Sequence, residues 1–271
     1  MRGTLKTSTL ESKFPLLRVE NNCIISKFAD ITAAYRVLLP ELFTLTGEEY
    51  EALHGAWLKA LKVLPDYTVV HKQDFARSYE RHFNERPYLR HTCYLFVTKT
   101  TPERMRQTSA SSVLCRGFIV PREMRDTDAV TRFLEAVEQF ASIVRESGHI
   151  RLRRLGADEI AGTPESSGIL ERYLTLSPSG KTPLQDMRLD PDRMWIGDKA
   201  LCLHTLSDLD DLPGSVRTDD RYERLSTERS DCRLSFAAPV GLLLSCNHIY
   251  NQYLFLDNSD ENLRQFERTA R

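Results

Sequence analysis

The sequence lacks long apolar runs, and it lacks an excess of either charge. Its longest apolar stretch, from Ala237 to Leu244, is interrupted by Pro239 and Gly241 and is far too short to cross a membrane. The first residues contain no apolar signal segment, and 37 basic residues nearly balance 38 acidic ones. A net charge of -1 provides no broad positive field for a polyanion. We therefore expect a cytoplasmic chain with no membrane span and no direct nucleic-acid contact, whose membrane association, if any, is peripheral and through a partner.

Closely spaced cysteine pairs are also absent, which argues against a disulfide framework or a redox motif. The six cysteines are scattered along the chain, as expected for reduced thiols. Two of them belong to C-x-H pairs, Cys202 with His204 and Cys246 with His248. Because alternate residues of a strand share a face, two such strands side by side would bring four ligands toward tetrahedral zinc geometry. The spacing matches no standard zinc module, so we expect no metal site and keep a zinc-site protein as an alternative.

Signatures of catalysis and of cofactor binding are missing. No G-x-S-x-G, H-E-x-x-H or EF-hand pattern occurs. Residues 179–182 (SGKT) look like the end of a phosphate-binding loop, but Thr175 stands where that motif needs its first glycine, and Pro183 disfavours the helix that must follow. We expect a surface turn there and no binding of ATP. Residues 79–86 (YERHFNER) are rich in acid–base groups, yet without a nucleophile they favour an exposed helix with local ion pairs.

The first half of the chain does contain regular hydrophobic patterning. Thr46 and Glu49 have capping-box spacing, and the apolar stripe that follows predicts a helix ending before Pro65. A second stripe predicts a helix over residues 126–147, with Gly148 as its cap. The order ββαββα predicts an α+β fold, with antiparallel or mixed sheets backed by two long helices. The four strands are predicted at Cys23–Phe28, Ile31–Leu39, Tyr67–His71 and His91–Thr98, with a tight turn at Ala29-Asp30 between the first two.

After residue 150 the pattern is more broken. Residues 1–150 are therefore expected to form one subdomain and residues 151–271 a second, looser one. Apolar sequence over 234–255 indicates strands, and a polar helix is expected from Ser259. Short helices are predicted at 157–160 and 169–173, and a hairpin around Gly197-Asp198.

Residues 207–231 carry charges of both signs and few apolar side chains, which predicts a long charged loop. Loops usually run over the surface, and a solvated loop is the simpler interpretation. The other interpretation is a partner-binding segment of an assembled complex. Tyr and Arg are the residue types that most often anchor interfaces, so Arg221, Tyr222 and Arg224 are then the expected anchors.

Six segments of the sequence resemble one family. They are residues 9–16 (TLESKFPL), 64–67 (LPDY), 71–74 (HKQD), 79–87 (YERHFNERP), 203–214 (LHTLSDLDDLPG) and 231–239 (DCRLSFAAP). These segments are similar to the amino-terminal region of TraG-family proteins, the conjugation ATPases of Bacteroides-type conjugative transposons. The resemblance covers essentially the whole chain.

The resemblance implies a non-catalytic front part of a large motor ATPase of a type IV secretion system, which powers channel assembly and DNA or protein transfer. In that family ATP and Mg bind a carboxy-terminal RecA-like domain, so no catalytic or cofactor-binding residue is carried onto this chain. The implied role is docking and assembly, with inner-membrane channel components and neighbouring motor subunits as partners. The alternative is a small stand-alone enzyme built on the two C-x-H pairs or on residues 79–86.

The chain departs from the family at one position. The family has a longer polar stretch between Asp74 and Phe75, whereas here the two residues adjoin. We therefore predict that the chain is interrupted between them and that a polar loop separates them in the native protein.

Overall fold

The structure, a computed structural model, describes residues 14–40, 45–79, 88–102, 126–175, 183–191, 193–205, 220–221, 226–228, 233–234, 244 and 246–269. The strands are β1 (Leu16–Glu20), β2 (Cys23–Ser26), β3 (Ile31–Leu38), β4 (Thr68–Tyr79), β5 (Tyr88–Lys99), β6 (Arg151–Arg154), β7 (Met187–Leu189), β8 (Met194–Ile196), β9 (Lys199–Leu201), β10 (Asp220–Arg221), β11 (Arg233–Leu234) and β12 (His248–Leu256). The helices are α1 (Gly47–Leu61), α2 (Thr127–Glu146), α3 (Ala157–Ala161), α4 (Ile169–Thr175) and α5 (Ser259–Thr269).

A seven-stranded sheet organises the fold. Its order is β1-β2-β3-β5-β4-β12, and β6 also pairs with β3. Every pairing in this sheet is antiparallel. β2 pairs with residues 31–33 of β3, and β6 pairs with residues 35–38 of the same strand. The predicted α+β fold, with an antiparallel sheet backed by two long helices, is confirmed.

Each face of the sheet has its own hydrophobic cluster, because successive side chains of a strand point to opposite faces. On one face, α1 and α2 pack over Leu95 and Val97 of β5, and Trp57 meets Phe140 edge-on with ring centroids 5.6 Å apart. On the other face, α3 and α4 are packed over Tyr94 and Phe96 of β5. β5 is therefore buried on both faces.

Local sequence signals set the ends of several elements. The Thr46 hydroxyl accepts from the Glu49 amide at 3.3 Å, while the Glu49 carboxylate accepts from the Thr46 amide at 2.8 Å, so the predicted capping box is present. Asp126 caps α2, and Gly148 beyond it has a φ of 77°, as the predicted glycine cap requires. Ala29 turns the chain between β2 and β3 with a φ of 65°.

In the first half one strand was missed, one prediction was wrong, and one segment lies partly outside the described residues. β1 was not predicted. The expected interruption between Asp74 and Phe75 is absent, because both residues lie within β4 and pair in unbroken register with β5 and β12. The physical reason is that β4 continues to Tyr79, well past the predicted end at His71. Tyr79 is therefore a strand residue, and residues 80–87 lie outside the described part.

The second half of the chain contributes β6 and β12 to the same sheet as the first half. The predicted short helices, the hairpin at Gly197 and the polar helix from Ser259 are confirmed. Within the segment expected to be a charged loop, residues 220–221 form β10, which pairs with β11 beyond the segment, and most of the remaining loop residues are not described. Residues 179–182 are likewise outside the described residues. Among those that are described, no helix has the length and apolar character that a membrane crossing requires.

The Arg154 side chain connects β6 to β3 and α2. Its guanidinium on β6 donates to the Tyr35 hydroxyl of β3 and to the Glu138 carboxylate of α2, both at 3.1 Å. It also lies 3.3 Å from the thiol sulfur of Cys23 and 5.2 Å from the Tyr35 ring centre. Burial raises the pKa of Tyr35 to about 12, so the hydroxyl keeps its proton and donates it to Glu138.

Candidate interaction surface

The structure does not bring the two C-x-H pairs together. Cys202 and His204 follow β9, which belongs to a separate three-stranded sheet, whereas Cys246 and His248 lie at the start of β12. The strands are therefore not the neighbours that a zinc site would need. His248 instead bonds through Nδ1 to the Cys246 carbonyl oxygen at 2.9 Å. In the part of the chain that the structure describes, no three His, Cys, Asp or Glu side chains come together as metal ligands.

The three residues expected to anchor a partner fall mostly outside the description. Arg221 lies in β10, with its side chain exposed, and Tyr222 and Arg224 are not among the described residues. Their role as anchors stays a prediction.

A polar cluster that the sequence did not reveal lies across β4, β5 and β12. Asp74 Oδ2 is 2.5 Å from His91 Nδ1, and the His91 and His248 ring centres are 6.2 Å apart. Asp74 Oδ1 and His248 Nε2 are buried and have no hydrogen-bond partner in the structure. Unpaired buried polar atoms are rare in native proteins.

The polar cluster of Asp74, His91 and His248 contains no activated nucleophile. The thiol nearest to it in register is Cys93, which faces Asp74 across β4 and β5. Burial raises the pKa of Cys93 to about 11. The thiolate is the reactive form, so this thiol is inert at neutral pH.

On the opposite face, four aromatic rings form a ladder from the core to the edge of the sheet. Phe96 of β5 stacks on His71 of β4 at 5.3 Å between ring centres, and His71 stacks on Tyr253 of β12 at 4.2 Å. Tyr253 in turn lies 6.4 Å from Phe255, with the rings 22° from parallel. Phe96 is buried, whereas Tyr253 is 53% exposed and Phe255 is 59% exposed. We call these four residues the aromatic ladder.

Side-chain amides hold the ladder in place. The Asn251 Oδ1 atom accepts from His71 Nε2 at 2.9 Å and from Gln73 Nε2 at 2.8 Å. Burial lowers the pKa of His71, so the imidazole is neutral at neutral pH and donates through Nε2. Gln73 is fully buried, and its Oε1 atom has no partner in the structure. The inner part of the ladder is therefore rigid, while its outer rings are presented to solvent.

The outer rings lie on an unusual edge strand. β12 (HIYNQYLFL) has nine residues, none of them charged, Pro or Gly, and it pairs without a bulge along residues 68–76 of β4. No described strand pairs with its other side. Edge strands normally carry lysines, prolines or bulges that prevent further pairing. The helix that follows, α5, exposes Leu263 and Phe266 as well, so this end of the chain presents apolar side chains on two successive elements.

Sequence reasoning identified residues 234–255 as strand-like and did not identify an edge. The available signal was the absence of charge over residues 248–256 in a chain that is 28% charged. The ladder itself gave no local signal, because His71 and Tyr253 become neighbours only through the pairing of β4 with β12.

A match to one family model covers the first elements of the fold. A family model described as a domain of unknown function, B. theta gene description (DUF3875), matches residues 3–55. The match spans β1 to β3 and part of α1, and it includes residues 9–16, the first segment of the resemblance above. It is consistent with an origin in Bacteroides and specifies no activity. No curated protein matches the chain.

Proposed function

We propose that this chain is the docking and assembly domain of a conjugative-transfer motor ATPase of the TraG type. In this proposal it works on the cytoplasmic side of the inner membrane, where protein partners hold it. It binds channel components or neighbouring motor subunits, and the ATP-hydrolysing domain is a different part of the same motor.

The observation that carries the proposal is the exposed, uncharged edge at β12. Tyr253 and Phe255 offer large rigid rings that are already held in place from behind, so binding costs little side-chain entropy. Aromatic residues are enriched at protein interfaces, and exposed aromatic patches mark interaction sites.

The sequence resemblance supports the same role independently. The segments that resemble TraG-family proteins run from the first residues of the sheet to beyond β11, and the family match includes β1 to β3. In the described residues, the polar cluster and the thiol of Cys93 do not provide an activated nucleophile. A docking domain requires none.

The test is a double variant, Tyr253→Lys with Phe255→Lys, in the complete motor within its own conjugative element. We expect co-purification with the inner-membrane channel components to fall about tenfold or more, the change in affinity that the loss of one interface hot spot produces. Conjugative transfer should fall with it. Both substituted side chains lie at the exposed end of the ladder and reach solvent, so the melting temperature should change little.

The matched control is Leu184→Lys with Leu189→Lys. These leucines are 59% and 76% exposed, as exposed as the ladder's outer rings, and they lie in and beside the three-stranded sheet instead. Conjugative transfer by this control variant should be normal. Normal transfer and normal co-purification by the ladder variant would contradict the proposed function.

A further inference from the structure

The two ends of the strand order, β1 and β12, are built differently. β1 has five residues, contains Arg18 and Glu20, and has an irregular register between residues 16 and 18. These features prevent the addition of another strand. β12 has none of them, is nine residues long and is regular throughout. One edge of this sheet is protected and the other is suited to pairing.

The chemistry of β12 restricts what can pair with it. A charged strand laid along this edge would bury charges against uncharged side chains, which is costly. A second copy of β12 meets the requirement. We consider two β12 strands paired antiparallel and centred on Gln252. Each side chain then lies opposite a side chain of the second copy that is on the same face of the sheet. Ile249 then faces Phe255, and Asn251 faces Tyr253, on the ladder face.

On the other face, the same register sets Tyr250 opposite Leu254 and His248 opposite Leu256, while Gln252 faces its own copy. Aromatic and aliphatic cross-strand pairs of this kind stabilise sheets. Two copies of the chain also repel each other little, since each has a net charge of -1.

We propose that β12 pairs with β12 of a second copy of this chain, antiparallel about a two-fold axis through Gln252, and joins two seven-stranded sheets into one. The proposal rests on the proposed function, because it names the neighbouring subunit as the occupant of the docking edge. Nine residues a side is fewer than the roughly 20–30 residues a side of stable complexes, so the isolated pair is weak and depends on concentration.

Position-specific cross-linking tests the register. The starting protein is the full chain with every cysteine except the buried Cys23 and Cys93 replaced by Ser. Gln252→Cys should form covalent dimers with a short bifunctional thiol reagent, because the two copies face each other. Asn251→Cys and Tyr253→Cys should each give few dimers alone and many when the two variants are mixed. Leu189→Cys is the exposed control and should give few dimers in either case.

A second measurement separates pairing from folding. Gln252→Lys places two like charges opposite each other, so sedimentation should show a monomer at concentrations where the wild-type chain dimerises, with an unchanged melting temperature. Equal cross-linking at Leu189→Cys and Gln252→Cys, or a monomeric wild-type chain at all concentrations, overturns the inference. If such a monomer still loses channel components when Tyr253 and Phe255 become lysine, the proposed function stands without this pairing. Dimers that form through residue 252 without any binding to the transfer apparatus would support the pairing and contradict the function.

Discussion

His71 is the residue on which the aromatic ladder depends. It contacts a buried ring on one side and an exposed ring on the other, and its Nε2–H bonds to Asn251. All of these contacts are made by the neutral imidazole. A charged imidazolium in the same place would be removed from water without an acid to balance it, and burial therefore lowers the pKa of His71.

This shift predicts a pH dependence of stability. The folded chain takes up the proton at lower pH than the unfolded chain, whose histidine has its ordinary pKa of about 6.5. Stability is therefore complete above that value and is lost as the pH falls through it toward the lowered folded pKa. We expect His71→Gln, which keeps a donor for Asn251, to reduce this acid sensitivity. Urea unfolding at pH 7.5, 6.5 and 5.5 would measure it.

The control for this prediction is His204→Gln, which changes an exposed histidine beyond β9 and should leave the pH profile unchanged. The free energy of unfolding should depend less on pH in His71→Gln than in the wild-type chain. An equal dependence between pH 7.5 and 5.5 in the two chains would show that burial of His71 is not coupled to folding.

At the scale of the elements, the sequence predicted what local chemistry determines. The capping box at Thr46, the glycine cap at Gly148 and the turn at Gly197 each depend on a few adjacent residues, and each is present. The apolar stripe of α2 identified the face that packs on the sheet. These features involve contacts within about one helical turn or one hairpin, which a periodic pattern records directly.

The elements that the sequence missed depend on pairing between distant segments. β1 is short, mostly exposed and charged, so it has little β pattern and exists through its pairing with β2. β4 extends through Asp74 because β5 and β12 pair with it on both sides there, which outweighs the low strand preference of an aspartate. For the same reason the polar cluster of Asp74, His91 and His248 could not be predicted, since its members belong to three strands.

Arg154 and Arg153 provide an element-scale prediction, because they are adjacent on β6 and point to opposite faces. The Arg154 side chain is 25% exposed and binds two other elements, whereas Arg153 is 56% exposed and pairs with Glu159 at 2.6 Å. We expect Arg154→Met to destabilise the fold by about 2 kcal/mol, because buried polar groups lose a partner. Arg153→Met should cost less than about 1 kcal/mol, as exposed ion pairs do. Urea unfolding of both variants at neutral pH would compare them, and equal losses would contradict the fastening role of Arg154.

At the scale of the whole molecule, the main question is how the halves of the chain relate. The sequence changes character near residue 150, yet β6 and β12 come from beyond that point and pair with β3 and β4 of the first half. Leu152 belongs to the core cluster under α1 and α2, and Ile160 and Ile169 belong to the cluster on the opposite face. Both faces of the sheet therefore draw part of their cover from the second half.

This arrangement predicts the behaviour of a fragment that ends at residue 150. Without β6 and β12, residues 35–38 of β3 and the outer edge of β4 are unpaired, and the face under α3 and α4 is exposed to water. Because one face loses its helices and the other loses Leu152 and part of β12, we expect residues 1–150 alone to lack a cooperative thermal transition and to bind hydrophobic dyes. Residues 151–271, added as a separate chain, should restore the transition by supplying the missing strands. A fragment that unfolds cooperatively near the melting temperature of the intact chain would instead show that the first 150 residues form an independent subdomain, with β6 and β12 as peripheral additions.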